Sequence, residues 1–285
     1  MSADYRVRSM RPDEIGFAIQ LAAAQGWNPG LHDAAAFQVA DPGGFFVGEL
    51  DGAPIGCISA VRYGADHGFI GLYIMQPEHR SKGYGRVLWD AALSHLAARS
   101  IGLDGVPEQQ DNYRKSGFVL AHQNIRYEYK PAPGRPASAD DGVTPLEQLP
   151  AEAVQDYDGR CFAAPRAGFL AAWCAQPGTV ALAWCNPNGA LGGFGAIRPC
   201  RIGWKIGPLF ADDPAVAQRL MDALASQPGV SGPVYLDVPE INLQAVRLAA
   251  DRRMRSCFST ARMYRGTAPA IDFGRVYGVT SFELG

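Results

Sequence analysis

Arg80, Ser81, Lys82, Gly83, Tyr84, Gly85 and Arg86 concentrate three cations and two glycines in seven consecutive positions. The segment follows an apolar run at 69–75 and precedes a helical pattern at 86–98, so it reads as the turn between a strand and a helix. Such a turn aims several backbone N–H groups at one anion. Its glycines admit a ligand close to the main chain, and the helix N-terminus adds a favourable dipole. The chemistry this suits is the binding of a pyrophosphate, as carried by coenzyme A or a nucleotide. The nucleotide signatures themselves are missing: there is no P-loop Gly-Lys-Ser/Thr and no G-x-G-x-x-G.

Arg80, Gly83 and Gly85 fill a pattern that resembles the acyl-CoA loop of the GNAT superfamily of N-acetyltransferases. The segment from Tyr113 to Gly117 and Phe118 resembles that family's Tyr-x-x-x-Gly-Phe element. The resemblance extends over about residues 5–130. It implies acetyl-CoA as the cofactor, with its pyrophosphate on the N–H groups from Lys82 to Arg86. It also implies that the preceding strand parts from its neighbour, so that main-chain groups of Ile74, Met75 and Gln76 hold the pantetheine and the acetyl carbonyl. Tyr113 would then stand beside the departing sulfur as a donor. One departure is plain: the family often has asparagine seven residues before this tyrosine, and here the residue is Val106.

Attack of an amine on a thioester requires a neutral amine, a polarised carbonyl and a stabilised thiolate. The run at 69–75 carries no acid. Glu108 emerges beside the cleft as one candidate base, although a solvated loop carboxylate fits it as well. Tyr73 is another candidate if Phe69, Gly71 and Tyr73 share one side of a strand. Ordered water alone is the third option. Trp27, Asn28, His32 and Asp33 fall in the segment that covers the acceptor site in this fold. Trp27 would wall the pocket and Asp33 would pair with a cationic amine; a proline-glycine turn with Trp27 in the core fits them equally. No cluster of metal-ligand spacing occurs, so no metal is expected.

The elements that must position these residues follow from the pattern. Strands are expected at 5–10, 45–50, 54–63, 69–75, 101–106 and 119–129, with helices at 12–25, from 31, at 86–98 and at 109–116. Residues 131–142 have a linker composition, with three prolines and two glycines. Beyond them a helix-rich start at 150–175 leads to strands at 180–185, 192–199, 204–210 and 234–238 and helices at 213–224 and 242–253. A local echo, Leu103-Asp104 against Leu236-Asp237, suggests duplication. The expected fold is therefore α/β, with two GNAT-like domains at 1–130 and 143–285. Each is a mixed, mostly antiparallel twisted sheet flanked by helices. In the second domain, acidic Asp212 and Asp213 replace the glycine loop. Ala249 stands where the tyrosine would be, and Arg253-Met254 where Gly-Phe would be, so this domain is read as degenerate.

The chain of 285 residues carries a net charge of −2 and is 47% hydrophobic. That balance offers no general footprint for nucleic acid or an anionic membrane, and no run approaches the ~20 apolar residues of a span. Six cysteines without paired spacing read as reduced thiols, and a cytoplasmic protein is expected, with a homodimer left open. The favoured function is N-acetyl transfer from acetyl-CoA to a primary amine of a small molecule or peptide. A non-catalytic acyl-CoA sensor is the alternative, and a nucleotide-binding regulator is disfavoured by the missing motifs.

Overall fold

The computed structural model describes residues 4–97, 99–131 and 142–285; the expected linker lies outside these residues apart from its two ends. The first half runs β1 (Tyr5–Ser9), α1 (Ile15–Ala24), α2 (Asp33–Ala40), β2 (Phe45–Leu50), β3 (Ala53–Tyr63), β4 (His67–Met75), α3 (Tyr84–His95), β5 (Ser100–Gly105), α4 (Gln110–Lys115) and β6 (Val119–Tyr129). The second runs β7 (Val143–Pro145), α5 (Ala151–Cys161), α6 (Ala167–Cys174), β8 (Val180–Cys185), β9 (Leu191–Pro199), β10 (Trp204–Ala211), α7 (Pro214–Ala225), β11 (Val234–Pro239), α8 (Leu243–Asp251), β12 (Arg255–Arg265) and β13 (Val276–Gly278).

Among the described residues all thirteen strands join one sheet, in the order β1-β2-β3-β4-β5-β12-β6-β11-β10-β9-β8-β7, with β13 beside β10. Pairing is antiparallel except at β4–β5 and β10–β11. The two halves exchange their last long strands: β12 of the second lies between β5 and β6 of the first, and β6 pairs with β11. The two halves therefore share one continuous sheet where a separate sheet was expected for each. Two equivalent ion pairs lock the exchange. Arg262 on β12 lies opposite Asp104 on β5, and Arg126 on β6 lies opposite Asp237 on β11. Both pairs are buried and bidentate, at 2.6–2.9 Å and 2.7–2.8 Å. The echo of Leu103-Asp104 in Leu236-Asp237 is this repeated pair.

Strand β12 lies beyond the last element expected from the pattern, and Ala261 and Met263 are fully buried on it. Helices α1, α2 and α6 cover one face of the sheet's first part, where Phe37 stacks on Trp173 at 5.9 Å between ring centres. On the opposite face α3 buries Leu88, Trp89 and Ala92 against β3, β4 and β5. Helices α7 and α8 share a separate core with β10 and β11.

Candidate active site

Strand β4 pairs with β5 only from His67/Ser100 to Ile70/Leu103. Beyond Ile70 the two strands part, and the gap opens into a cleft of about 590 Å³, within the usual range for small-ligand sites. Tyr73, Ile74, Met75, Arg80, Ser81, Gly83, Gly85, Arg86, Glu108, Tyr113 and Trp27 all border it. The expected loop residues and the expected tyrosine thus meet in one place.

Helix α3 opens on Gly83 at φ 89°, with no side chain capping its first turn. The first N–H groups of a helix have no intrahelical acceptor, so this end is ready for an anion. Arg80 does not project freely: its Nε donates to the Met75 carbonyl at 3.0 Å and its terminal nitrogen to Gln25 at 3.0 Å, tying the loop to β4 and α1. Arg86 pairs with Asp90 one turn on at 2.8 Å. Lys82 is exposed and has no ion pair among the described residues. Gly85 serves packing first, since a Cβ there would come within 2.7 Å of the Tyr73 hydroxyl and 3.3 Å of Met75 Cγ. Gln76 is corrected: its N–H is spent on the Ile55 carbonyl at 2.9 Å and is not available to a ligand.

Tyr113 lies over Gly105, where any Cβ would overlap its ring. It packs against Trp89 at 5.6 Å, which in turn meets Tyr73 at 5.4 Å. Burial, with a smaller contribution from Tyr73, pushes the Tyr113 phenol well above its ordinary value. The hydroxyl therefore keeps its proton and can donate it or share it.

The shared side expected for Phe69, Gly71 and Tyr73 is also corrected. Leu72 takes φ 47° at an irregularity in the β3–β4 register. One residue in that conformation resets the alternation, so Leu72 and Ile74 join Phe69 in the α1–α2 layer. Tyr73 falls with Ile70 and Met75 under α3. Tyr73 thus packs beneath the turn at Gly85. Glu108 is exposed at the rim, in a short turn after β5.

Of the predicted acceptor residues Trp27 and Tyr73 border the cleft, and Asn28, His32 and Asp33 do not. Asp33 is buried and saturated by Arg198 at 2.8 and 3.3 Å and by the Gly30 N–H at 2.8 Å. Asn28 bridges to both main-chain groups of Ile202 at 2.9 Å. His32 is exposed at the start of α2, away from the cleft lining. In place of these residues the second half supplies the remaining wall. Phe258 and Thr260 come from β12, and Phe282 and Glu283 from the C-terminal segment. The Glu283 carbonyl occupies the space a Cβ at Gly71 would need, so Gly71 admits this segment into the gap between β4 and β5. No spacing rule in the sequence points to these four residues, because tertiary wedging alone brings them in.

The second half repeats the framework without the site. Asp213 caps α7 with its own carboxylate, accepting from Ala215 and Val216 at 2.8 and 2.9 Å, with Pro214 at the first helical position. The N–H groups that α3 leaves open are filled here by a negative charge. At α8 the Met254 N–H donates to Ala249 O just as that of Phe118 donates to Tyr113 O, and Arg253 takes the left-handed conformation of Gly117. Ala249 thus stands in the tyrosine's place.

Family models for the acetyltransferase (GNAT) family and an acetyltransferase (GNAT) domain match residues 16–118 and 154–278. The chain is 31% identical over 264 residues to holothin acyltransferase from Pseudoalteromonas sp. (strain SANK 73390), covering 93% of this chain and 89% of that one. A crystal structure of a Pyrococcus horikoshii protein superposes with a TM-score of 0.82 at 25% identity, covering 99% of this chain and 96% of that one. A tandem GNAT protein from the clavulanic acid biosynthesis pathway shares the fold, with a TM-score of 0.64 at 15% identity over 93% of this chain and 100% of that one.

Proposed function

Because this chain belongs to the GNAT family and is an acyltransferase, we propose that it transfers acetyl from acetyl-CoA to a primary amine by direct attack. The observation that carries this reading is the convergence of an uncapped α3 N-terminus, a parted β4–β5 pair and a buried Tyr113 on one cleft. The pyrophosphate would lie on the first turn of α3. Pantetheine would follow β4 past Met75 and Ile74, whose main-chain groups no longer face β5. When bound, acetyl-CoA supplies the activated acyl group. The chain's own residues align it, exclude water and donate a hydrogen bond from Tyr113 toward the sulfur.

The acceptor would enter from the side walled by Trp27, Phe258, Thr260 and Phe282. The second half thus completes the acceptor site, while its own helix terminus, filled by Asp213, holds no cofactor. We read 1–130 and 143–285 as two duplicated units within a shared sheet, a reading supported by the two family-model matches. A relative named for holothin makes holothin the first acceptor to offer. Calorimetric titration with coenzyme A, ATP and NAD, followed by mass detection of acetylated holothin and other primary amines, tests the reading. Binding of ATP or NAD in preference to coenzyme A contradicts it.

A further inference from the structure

Glu283 is 4% exposed, lines the cleft, and carries an Oε2 atom without a hydrogen-bond partner among the described residues. Buried polar atoms in native proteins are almost always satisfied, so an orphan beside a cleft is open to a ligand or an ordered water. Of the cations around it, Arg126 and Arg198 are paired with other carboxylates and Lys205 meets a main-chain carbonyl, while Arg198 Nη1 also lacks a hydrogen-bond partner among the described residues. Arg126 on β6 is held by Asp237 of β11 and by the Trp27 carbonyl at 2.8 Å. Arg198 on β9 is held by Asp33 of α2, and Lys205 on β10 donates to the Asn28 carbonyl at 3.1 Å. Asp104 on β5, which also borders the cleft, is neutralised by Arg262 of β12. The charge of Glu283 reaches Arg126, Arg198 and Lys205, yet none of the three donates a hydrogen bond to it. Its main-chain carbonyl packs against Gly71, just past the end of the β4–β5 pairing, which brings the residue beside the strand along which a thioester would lie.

We propose that Glu283 binds the ammonium form of the acceptor amine and takes its proton, which makes cationic alkylamines the acceptor class. This inference rests on the amine-acylation reading above. The ammonium gives one proton to the Glu283 carboxylate, and the neutral nitrogen attacks the thioester carbonyl. The C–N bond forms and the C–S bond breaks with its electron pair on sulfur. The thiolate takes a proton from Tyr113, and the nitrogen's second proton restores the phenol through water. The Glu283 proton returns to solvent.

The test compares full-length wild type and Glu283→Gln on two sets of primary amines, alkylamines that are protonated at neutral pH and aromatic amines that are neutral there. The variant is expected to lower kcat/KM for alkylamines by about 10²-fold or more. Aromatic amines, which need no deprotonation before attack, are expected to change far less, with coenzyme A affinity unchanged. A purely structural role would depress both sets alike, and that result, or no loss in either set, overturns the proposal. If Glu283→Gln disturbs folding, Glu283→Asp makes the same comparison with the charge kept and the reach shortened. A wild type that binds coenzyme A but acylates no amine contradicts the amine reading itself, and this inference with it.

Discussion

Asp104 on β5 meets Arg262 on β12 at 2.6 Å, so a carboxylate of the first half is neutralised by a cation of the second. Desolvation opposes the charge of Arg262, but Asp104 more than compensates and holds its pKa above the ordinary value. Removing one partner of a buried pair strands the other, at a cost of about 3–5 kcal/mol. Arg262→Met is therefore expected to lose roughly that much stability in urea unfolding, and Asp104→Leu added to it should restore a large part. A loss below about 1 kcal/mol would place the pair among those of surface strength. The same exchange governs truncation. A fragment ending at Lys130 lacks the strand between β5 and β6, and it is expected to show no cooperative unfolding and no coenzyme A binding.

Gly83 sits in open space with φ 89°, whereas a Cβ at Gly85 would press on Tyr73 and Met75. Gly83→Asp is thus the cleaner probe of the loop, costing about 1–2 kcal/mol of backbone strain while placing a carboxylate where Asp213 places one in the second half. Coenzyme A affinity is expected to fall by about tenfold or more, or at least 1.4 kcal/mol, and wild type should bind one equivalent per chain. Calorimetry showing two equivalents, or unchanged affinity in the variant, would contradict the assignment of the loop and of the filled α7 terminus.

Tyr113→Phe removes a hydroxyl and little volume. It should lower kcat by about 10²–10⁴-fold and leave acetyl-CoA affinity nearly untouched. Wild-type turnover in this variant would reduce Tyr113 to a packing residue over Gly105.

Two buried histidines predict an acid-sensitive fold. Burial, helped by Arg262, pushes His67 down to about 4, and the same causes push His122 down to about 3 against an opposing hydrogen bond with Asn124. Between these values and the ordinary 6.5 the unfolded chain binds protons that the folded chain refuses. Their contribution is therefore complete above about pH 6.5 and is lost as pH falls. By pH 5 the loss is expected to be ~2 kcal/mol for each histidine. Denaturation midpoints at pH 7.5 and 5 should draw together in His67→Leu; an unchanged gap would show that His67 titrates normally.

Much of the proposed cofactor side was legible because it is local. A glycine-rich turn, the strand before it and the tyrosine helix are each set by short-range spacing, and Arg80 to Arg86 and Tyr113 come together as their order implies. Tyr73 misled because a single left-handed residue, Leu72, reverses the alternation, and nothing in the residue types announces it. Asp33 misled because its partner, Arg198, lies 165 positions away. Strand β12 could have been inferred: the first half follows its tyrosine helix with β6, and the duplicated order calls for a strand after α8. Glu283 could not, since only the wedge against Gly71 gives it a role.

The most direct measurement follows thiol release and amide formation together, with acetyl-CoA, the full chain and an alkylamine at neutral pH. Free coenzyme A and N-acetylamine should appear in equal amounts and at the same rate. One-to-one binding of coenzyme A with no amide formed would contradict the account and leave a sensor of acyl-CoA.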